Sequence, residues 1–128
     1  MGGVDDDGVT VHSRLPLIHQ VVRQARPDVL AVQEANEFQL REYRRAFAFE
    51  RATGMRCLLG PAPSGFHGAL FIGPGISVDE LWIEEPATNR SLIYTQLRLR
   101  SGAQLTVAGV HLDPVAPRPV LGLALLPL

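Results

Sequence analysis

Lysine is absent from this chain of 128 residues, cysteine occurs only once, and no apolar run approaches the length of a membrane span. A spanning helix needs about 20 mostly apolar residues, so a helical membrane protein is not indicated. The single cysteine, Cys57, excludes an intrachain disulfide, and its apolar neighbours predict a buried thiol rather than a nucleophile. We expect no secretory signal, because the N-terminus is acidic and rich in glycine, and therefore expect a soluble cytoplasmic protein.

An excess of basic charge is also missing. The 12 basic residues face 13 acidic ones, and the formal net charge is −1. Nonspecific affinity for nucleic-acid backbones is therefore not favoured.

Two common binding motifs are absent as well. No G-x-G-x-x-G segment follows a predicted strand, which argues against a dinucleotide-binding Rossmann unit. The acidic cluster Asp5–Asp7 is flanked by glycines, but consecutive Asp residues do not supply the alternating ligands of an EF-hand loop. We interpret this cluster as a solvated turn.

Two helices are predicted in the first half of the chain. Ser13 is the expected N-cap of a helix that begins near Leu15 and ends at Arg26. His19 lies among the polar positions of this helix, so we expect it to be exposed.

The second helix is predicted to run from a cap at Asn36 to about Arg51. Glu37 and Arg41 have the i, i+4 spacing of an ion pair. We interpret the arginines of this helix as a solvated positive face rather than a phosphate site. Its expected apolar stripe consists of Leu40, Tyr43 and Phe47, supported by Phe38.

Short strands and turns follow from about residue 53. Strands are predicted at 56–59, 67–72, 76–83, 92–100 and 104–111. Ile93, Thr95 and Leu97 alternate with polar residues and share one face, and Ser101-Gly102 predicts a tight hairpin. This order is typical of an α/β fold of the layered α+β kind, with one mostly antiparallel sheet packed under two helices.

The segment Pro27–Glu34 is the most informative part of the sequence. It is a short apolar run that ends on a glutamine and a carboxylate, which predicts a buried strand. Layered α/β proteins place their chemistry at strand ends, and a carboxylate fixed there suits a hard cation. A Glu after an apolar strand is more often a solvated loop residue, so this feature does not define a site by itself.

The longer segment PDVLAVQEAN resembles the PDVLxLQE motif of the endonuclease/exonuclease/phosphatase family, which includes the DNase I-like nucleases. The resemblance implies that Glu34 binds a catalytic Mg²⁺, with Mn²⁺ as an alternative. Gln33 and Asn36 are the residues that we expect to orient Glu34.

A second match lies downstream in the order that the family shows. The predicted strand 104–111 ends with His111, and Leu112 follows it. The family has such a strand, with a His at its end that acts at the scissile phosphate. His111 is therefore the predicted catalytic residue, which would hydrogen-bond to the phosphate or protonate the leaving oxygen. A lone His after a strand is otherwise usually structural, and only the order of the two motifs favours function.

The resemblance covers residues 1–118, about the first half of such a domain, and implies a partial four-layer sandwich. The family's first strand with its Asn, its Asp-x-Asn motif and its late Asp-His pair have no counterparts here. We interpret the apolar tail 119–128 as a truncated or frame-shifted end. The resemblance thus implies a Mg²⁺-dependent phosphoesterase that is weakly active or inactive alone. We also expect self-association through an exposed sheet face.

Two other interpretations stay open. A noncatalytic remnant or interaction module would keep the half-fold without a working site. An unrelated small α/β binding domain would make both motif matches coincidental. For a phosphoesterase, the neutral charge balance favours a small phosphoester or a lipid head group over DNA as substrate.

Overall fold

A computed structural model describes residues 11–84 and 90–111, which form two helices and six strands. The helices are α1 (Val11–Ala25) and α2 (Leu40–Thr53). The strands are β1 (Val29–Val32), β2 (Arg56–Gly60), β3 (Gly68–Ile72), β4 (Ser77–Glu84), β5 (Leu92–Arg98) and β6 (Gln104–Val110). The expected mixed α/β class is confirmed. The acidic cluster 5–7 and the tail 119–128 lie outside the described residues.

The strands form two antiparallel sheets of three strands each, ordered β1-β3-β2 and β4-β5-β6. The prediction of one sheet was therefore wrong. The reason lies in β3, which is apolar on both faces: Phe71 packs towards the helices, whereas Leu70 and Ile72 point the other way. A strand of this kind needs cover on both sides, and the second sheet supplies it.

Two apolar cores result from this layering. The first lies between the helices and the first sheet. There the ring centroids of Phe49 and Phe71 are 4.2 Å apart, and Phe38 packs beside them. The second lies between the two sheets, where Ile93 and Leu97 are buried with residues of β3. Burying each such side chain stabilises the fold by roughly 1.5–3 kcal/mol.

The predicted hairpin between β5 and β6 is confirmed. Gly102 has a left-handed φ of 86°, and its N–H donates to the carbonyl of Leu99 at 2.9 Å. The predicted alternation of β5 holds too, since Ile93, Thr95 and Leu97 are buried.

Helix α1 differs from its prediction at two points. It begins at Val11, so Ser13 lies inside it and is not its N-cap. His19 was expected to be exposed but is partly buried, and its ring meets the ring of Phe49 at 84° with the ring centroids 4.9 Å apart. The side chain therefore fills the contact between the two helices.

Helix α2 differs more. It begins at Leu40 with Gln39 at the N-cap position, so Asn36 does not cap it. Glu37 forms its ion pair with Arg45, at 2.7 Å, rather than the predicted pair with Arg41.

The predicted stripe of Leu40, Tyr43 and Phe47 is exposed, and the residues of α2 that are buried are Ala46 and Phe49. The physical reason is that residues 41–43 have left-handed φ values, which interrupt the helical phase on which the prediction depended.

No helix in the described ranges is both long and apolar enough to cross a membrane.

Candidate functional site

The ends of several strands meet at one end of the two packed sheets. We call this end the pole; it contains Gln33, Glu34, Val110 and His111. Antiparallel pairing places the end of β6 beside the start of β5, with Val110 opposite Leu92. The side-chain amide of Gln33, just after β1, donates a hydrogen bond of 3.0 Å to the carbonyl of Val110. This bond joins the end of the first sheet to the end of the second across 77 residues of sequence.

The structure brings Glu34 and His111 together at this pole. Glu34 Oε1 lies 3.9 Å from His111 Nε2, and the two side chains are 36% and 19% exposed. This distance exceeds that of a hydrogen bond, so both groups remain able to contact a third group. The other ring nitrogen, His111 Nδ1, is buried and has no hydrogen-bond partner among the described residues.

The backbone at Glu34 is strained. Its φ is 54°, a left-handed value that L-residues seldom adopt and that costs roughly 1–3 kcal/mol. Two hydrogen bonds hold this conformation: the Ala35 N–H donates to the carbonyl of His67 at 2.8 Å, and the Asn36 N–H donates to the carbonyl of Glu34 at 2.7 Å. Strain that the surroundings maintain in this way is frequent at functional sites.

The two residues expected to orient Glu34 lie on either side of it. Gln33 contacts β6 of the second sheet through its bond to Val110, which precedes His111. Asn36 contacts Glu34 through its backbone N–H, and its own carbonyl accepts a hydrogen bond of 2.8 Å from Arg45. The side-chain oxygen Asn36 Oδ1 is buried without a partner in the described part of the chain.

Sequence reasoning missed Arg90, which lies two residues before β5 begins at Leu92. Its guanidinium lies 4.7 Å from the ring centroid of Phe66, and its Nε and Nη1 atoms are buried with no partner in the ranges described. A guanidinium with unused buried donors is suited to a phosphate. One signal could have found it: the first residues of β5 must adjoin the end of β6 in a hairpin, and His111 follows β6 directly.

The surface around the pair is shallow. A pocket of about 200 Å³ between Asn36 and Phe66 has neither Glu34 nor His111 in its lining. The cavity beneath His111, between the two sheets, has a volume of only about 20 Å³, which is room for about one water molecule. A substrate would therefore bind on this pole rather than inside the fold.

The donors at the pole fit a magnesium ion in their chemistry. The Glu34 carboxylate is partly exposed, and the orphaned Asn36 Oδ1 is a second oxygen donor. Mg²⁺ prefers oxygen, keeps several waters and needs only one or two carboxylates. Within 11–84 and 90–111, no group of three or more His, Cys, Asp or Glu side chains is arranged to hold a metal.

Cys57 does not contribute a nucleophile. Burial, and secondarily the charge of Glu50, raise the pKa of its thiol to about 12. The thiol is therefore protonated at neutral pH and unreactive.

No family model, no curated protein and no solved structure matches this chain.

Proposed function

We propose that this chain carries part of the site of a Mg²⁺-dependent phosphoesterase of the endonuclease/exonuclease/phosphatase kind. The observation that carries the proposal is the 3.9 Å approach of Glu34 Oε1 to His111 Nε2, the two residues that the motif resemblance singles out. By itself the chain is weakly active or inactive, because the acidic and His residues that activate the attacking water in that family have no match in its sequence.

Each residue at the pole has a defined part in this proposal. Glu34, with Asn36 Oδ1, would hold the Mg²⁺, which supplies neutralisation of charge on the phosphoryl group when bound. His111 Nε2 donates a hydrogen bond to a phosphate oxygen or a proton to the leaving oxygen. Gln33 holds the two strand ends in register, so that these groups stay close together.

Arg90 adds an anion-binding group. Its buried Nε and Nη1 donors would bind non-bridging phosphate oxygens, since a guanidinium fork matches their geometry. Phe66 fixes the plane of the guanidinium by stacking on it, which reduces the conformational entropy lost on binding.

The substrate class that we favour is a small phosphoester or a lipid head group. The pocket beside Asn36 is small, and the overall charge of −1 does not favour a nucleic-acid backbone. The shallow surface around Glu34 and His111 also favours a small substrate.

Metal and phosphate binding test the proposal independently of turnover. We expect Mg²⁺ titration, followed by NMR, to shift the side-chain carboxyl signal of Glu34, and Glu34→Gln to remove the saturable shifts of its neighbours. Inorganic phosphate added with Mg²⁺ should perturb His111 and Arg90, and Arg90→Met should weaken phosphate binding by about tenfold or more, as expected for a lost charged hydrogen bond.

Glu80→Gln is the matched control, because Glu80 is an exposed carboxylate on β4 and lies in the other sheet. Unchanged Glu34 signals at saturating Mg²⁺ would contradict the proposal. Robust Mg²⁺-dependent hydrolysis of bis(p-nitrophenyl) phosphate that Glu34→Ala abolishes would support the site but disprove the expected weak activity.

A noncatalytic interaction module is the second candidate. It is favoured by the exposed Trp82 on β4 and by the lack of a three-ligand metal cluster in the described ranges. The same titrations separate the two candidates, since a module without a working site predicts no saturable response to Mg²⁺ or phosphate at the pole.

A further inference from the structure

The outer surface of the two helices combines exposed apolar side chains with exposed arginines. Both helices pack on the face of the first sheet that lies away from the second sheet. On α1, Leu17 and Val21 are one helical turn apart and both are more than 60% exposed. On α2, Phe47 is 54% exposed, and Leu40 and Tyr43 are exposed to a similar degree. We call this surface the helix layer.

Charge on the helix layer is opposite in sign to that of the whole chain. Helix α1 has two Arg and no acidic residue, and α2 has four Arg against two Glu, whereas the chain as a whole is at −1. Strand β4, at one edge of the second sheet, has three acidic residues and no Arg. Among the described residues, the two helices therefore carry a net positive charge, whereas β4 is acidic and one of its carboxylates, Asp79, pairs with Arg98 of β5.

Four of the six arginines on these two helices are available for a partner. In the part of the chain that the structure describes, no hydrogen bond or ion pair holds their side chains. These four are exposed. Arg41, Arg44 and Arg51 line one surface pocket with Phe47, Glu42 and Glu50, and Arg23 lies on α1.

We propose that the helix layer docks on the surface of an anionic phospholipid bilayer. Leu17, Val21 and Phe47 would enter the region below the head groups, and the arginines would contact lipid phosphates. The apolar side chains favour a bilayer over a nucleic acid, since a backbone-binding surface needs cations but gains nothing from exposed aliphatic groups. Vesicle binding requires no turnover, so membrane docking can be tested separately from phosphoester hydrolysis.

The helix layer also reaches the candidate site. Leu40 lines the pocket of about 200 Å³ that contains Asn36 and Phe66. A bilayer on the helices would therefore approach Asn36, two residues after Glu34.

Co-sedimentation with vesicles tests the docking. The full chain should bind vesicles of phosphatidylcholine mixed with phosphatidylserine, and bind pure phosphatidylcholine vesicles far less. Val21→Glu with Phe47→Glu should lower the partition coefficient by about tenfold or more. Arg44→Gln with Arg51→Gln should lower it by about fivefold for each arginine and reduce its dependence on salt.

Fluorescence shows which surface is in contact. Trp82 is the single tryptophan, lies on β4 and should keep its emission maximum when vesicles are added. Phe47→Trp in a Trp82→Phe background should instead shift to the blue. Trp82→Glu is the matched control, since it adds a negative charge to an exposed position away from the helices and should leave binding unchanged.

Three results would overturn the proposal. These are equal binding to neutral and anionic vesicles, a blue shift of Trp82 in the unmodified protein, and binding of a single-stranded oligonucleotide without binding of vesicles. The last result would assign the arginines to a nucleic acid.

Discussion

His67 is a buried titratable residue that links the loop at residues 61–67 to the candidate site. Its Nδ1 accepts a hydrogen bond of 2.7 Å from the Ala62 N–H, so this nitrogen carries no proton. Its carbonyl accepts the bond from Ala35 that helps to hold Glu34 in its strained conformation. Protonation of His67 would therefore disturb both the loop and the neighbouring site.

Acid should destabilise the protein through His67. Burial lowers the pKa of this His below its ordinary 6.5 in the folded state. A lowered folded pKa means that the unfolded chain binds more protons, so the free energy of unfolding is highest above pH 6.5 and falls as the pH drops below it. We expect a fall of up to about 1.4 kcal/mol per pH unit for one such group, measured by urea denaturation between pH 7.5 and 5.

His67→Asn, which keeps an acceptor for Ala62, should reduce this pH dependence. His19 adds a contribution of the same sign, because burial and then the charge of Arg23 lower its pKa. His19→Asn should therefore remove the part of the pH dependence of unfolding that is due to His19 and leave the part that is due to His67. A denaturation profile that His67→Asn leaves unchanged, or an NMR titration of His67 at its ordinary pKa, would contradict the assignment.

At the scale of the elements, glycines allow the two sheets to approach closely at the pole. A Cβ on Gly60 would lie 2.6 Å from Ile93 Cγ1 and 2.8 Å from Ser91 Oγ. The Ser91 hydroxyl donates to the carbonyl of Gly60 at 2.7 Å, which fastens the start of β5 to the end of β2. A Cβ on Gly109 would similarly lie 3.1 Å from Leu70. The position of Arg90 and His111 over the first sheet thus depends on small residues.

Gly60→Ala should separate β2 from β5 and destabilise the protein by about 1–3 kcal/mol, the usual cost of overpacking. Urea denaturation followed by the fluorescence of Trp82 measures the effect. Phosphate binding through Arg90 should weaken as well, since the start of β5 would move.

Gly68→Ala is the control for this substitution. Gly68 pairs with Gly60 across the sheet, but its added Cβ would meet its nearest atoms only at 3.6 Å and 3.8 Å, an ordinary contact. Its effect on stability should be small. Similar losses for the two variants would show that close approach of the sheets is not what requires glycine at position 60.

At the scale of the whole molecule, the second sheet leaves one broad face without cover from the described residues. Trp82, at 68% exposed, is paired with Tyr94 on β5, which in turn is paired with Ala108 on β6. Exposed apolar surface of this kind favours association. Self-association through a sheet face stays a prediction, and the structure identifies the face on which to test it.

Trp82→Lys should weaken any self-association of the protein. Loss of a buried aromatic side chain at the contact is expected to raise the dissociation constant by about tenfold or more. Sedimentation velocity over a range of protein concentrations measures it. Leu17→Lys on the helix layer is the control and should have no effect, and the opposite ranking would place the contact on the helices.

Local patterns in the sequence were sufficient for much of the fold. The alternation of Ile93, Thr95 and Leu97 and the glycine of the hairpin at 102 identified β5 and its turn, because a strand's period and a turn's φ requirement are properties of neighbouring residues. Local patterns of the same kind also predicted that Glu34 and His111 lie at strand ends. They did not reveal whether those ends meet.

Only the tertiary structure decided the remaining features. The 3.9 Å approach of Glu34 to His111, the division of six strands into two sheets and the buried donors of Arg90 all depend on residues far apart in sequence. The failed prediction for α2 has a more local origin, since the left-handed φ values at residues 41–43 altered which side of the helix faces the core. The physical reason is that periodicity assigns a side chain to a face, whereas long-range packing determines what that face contacts.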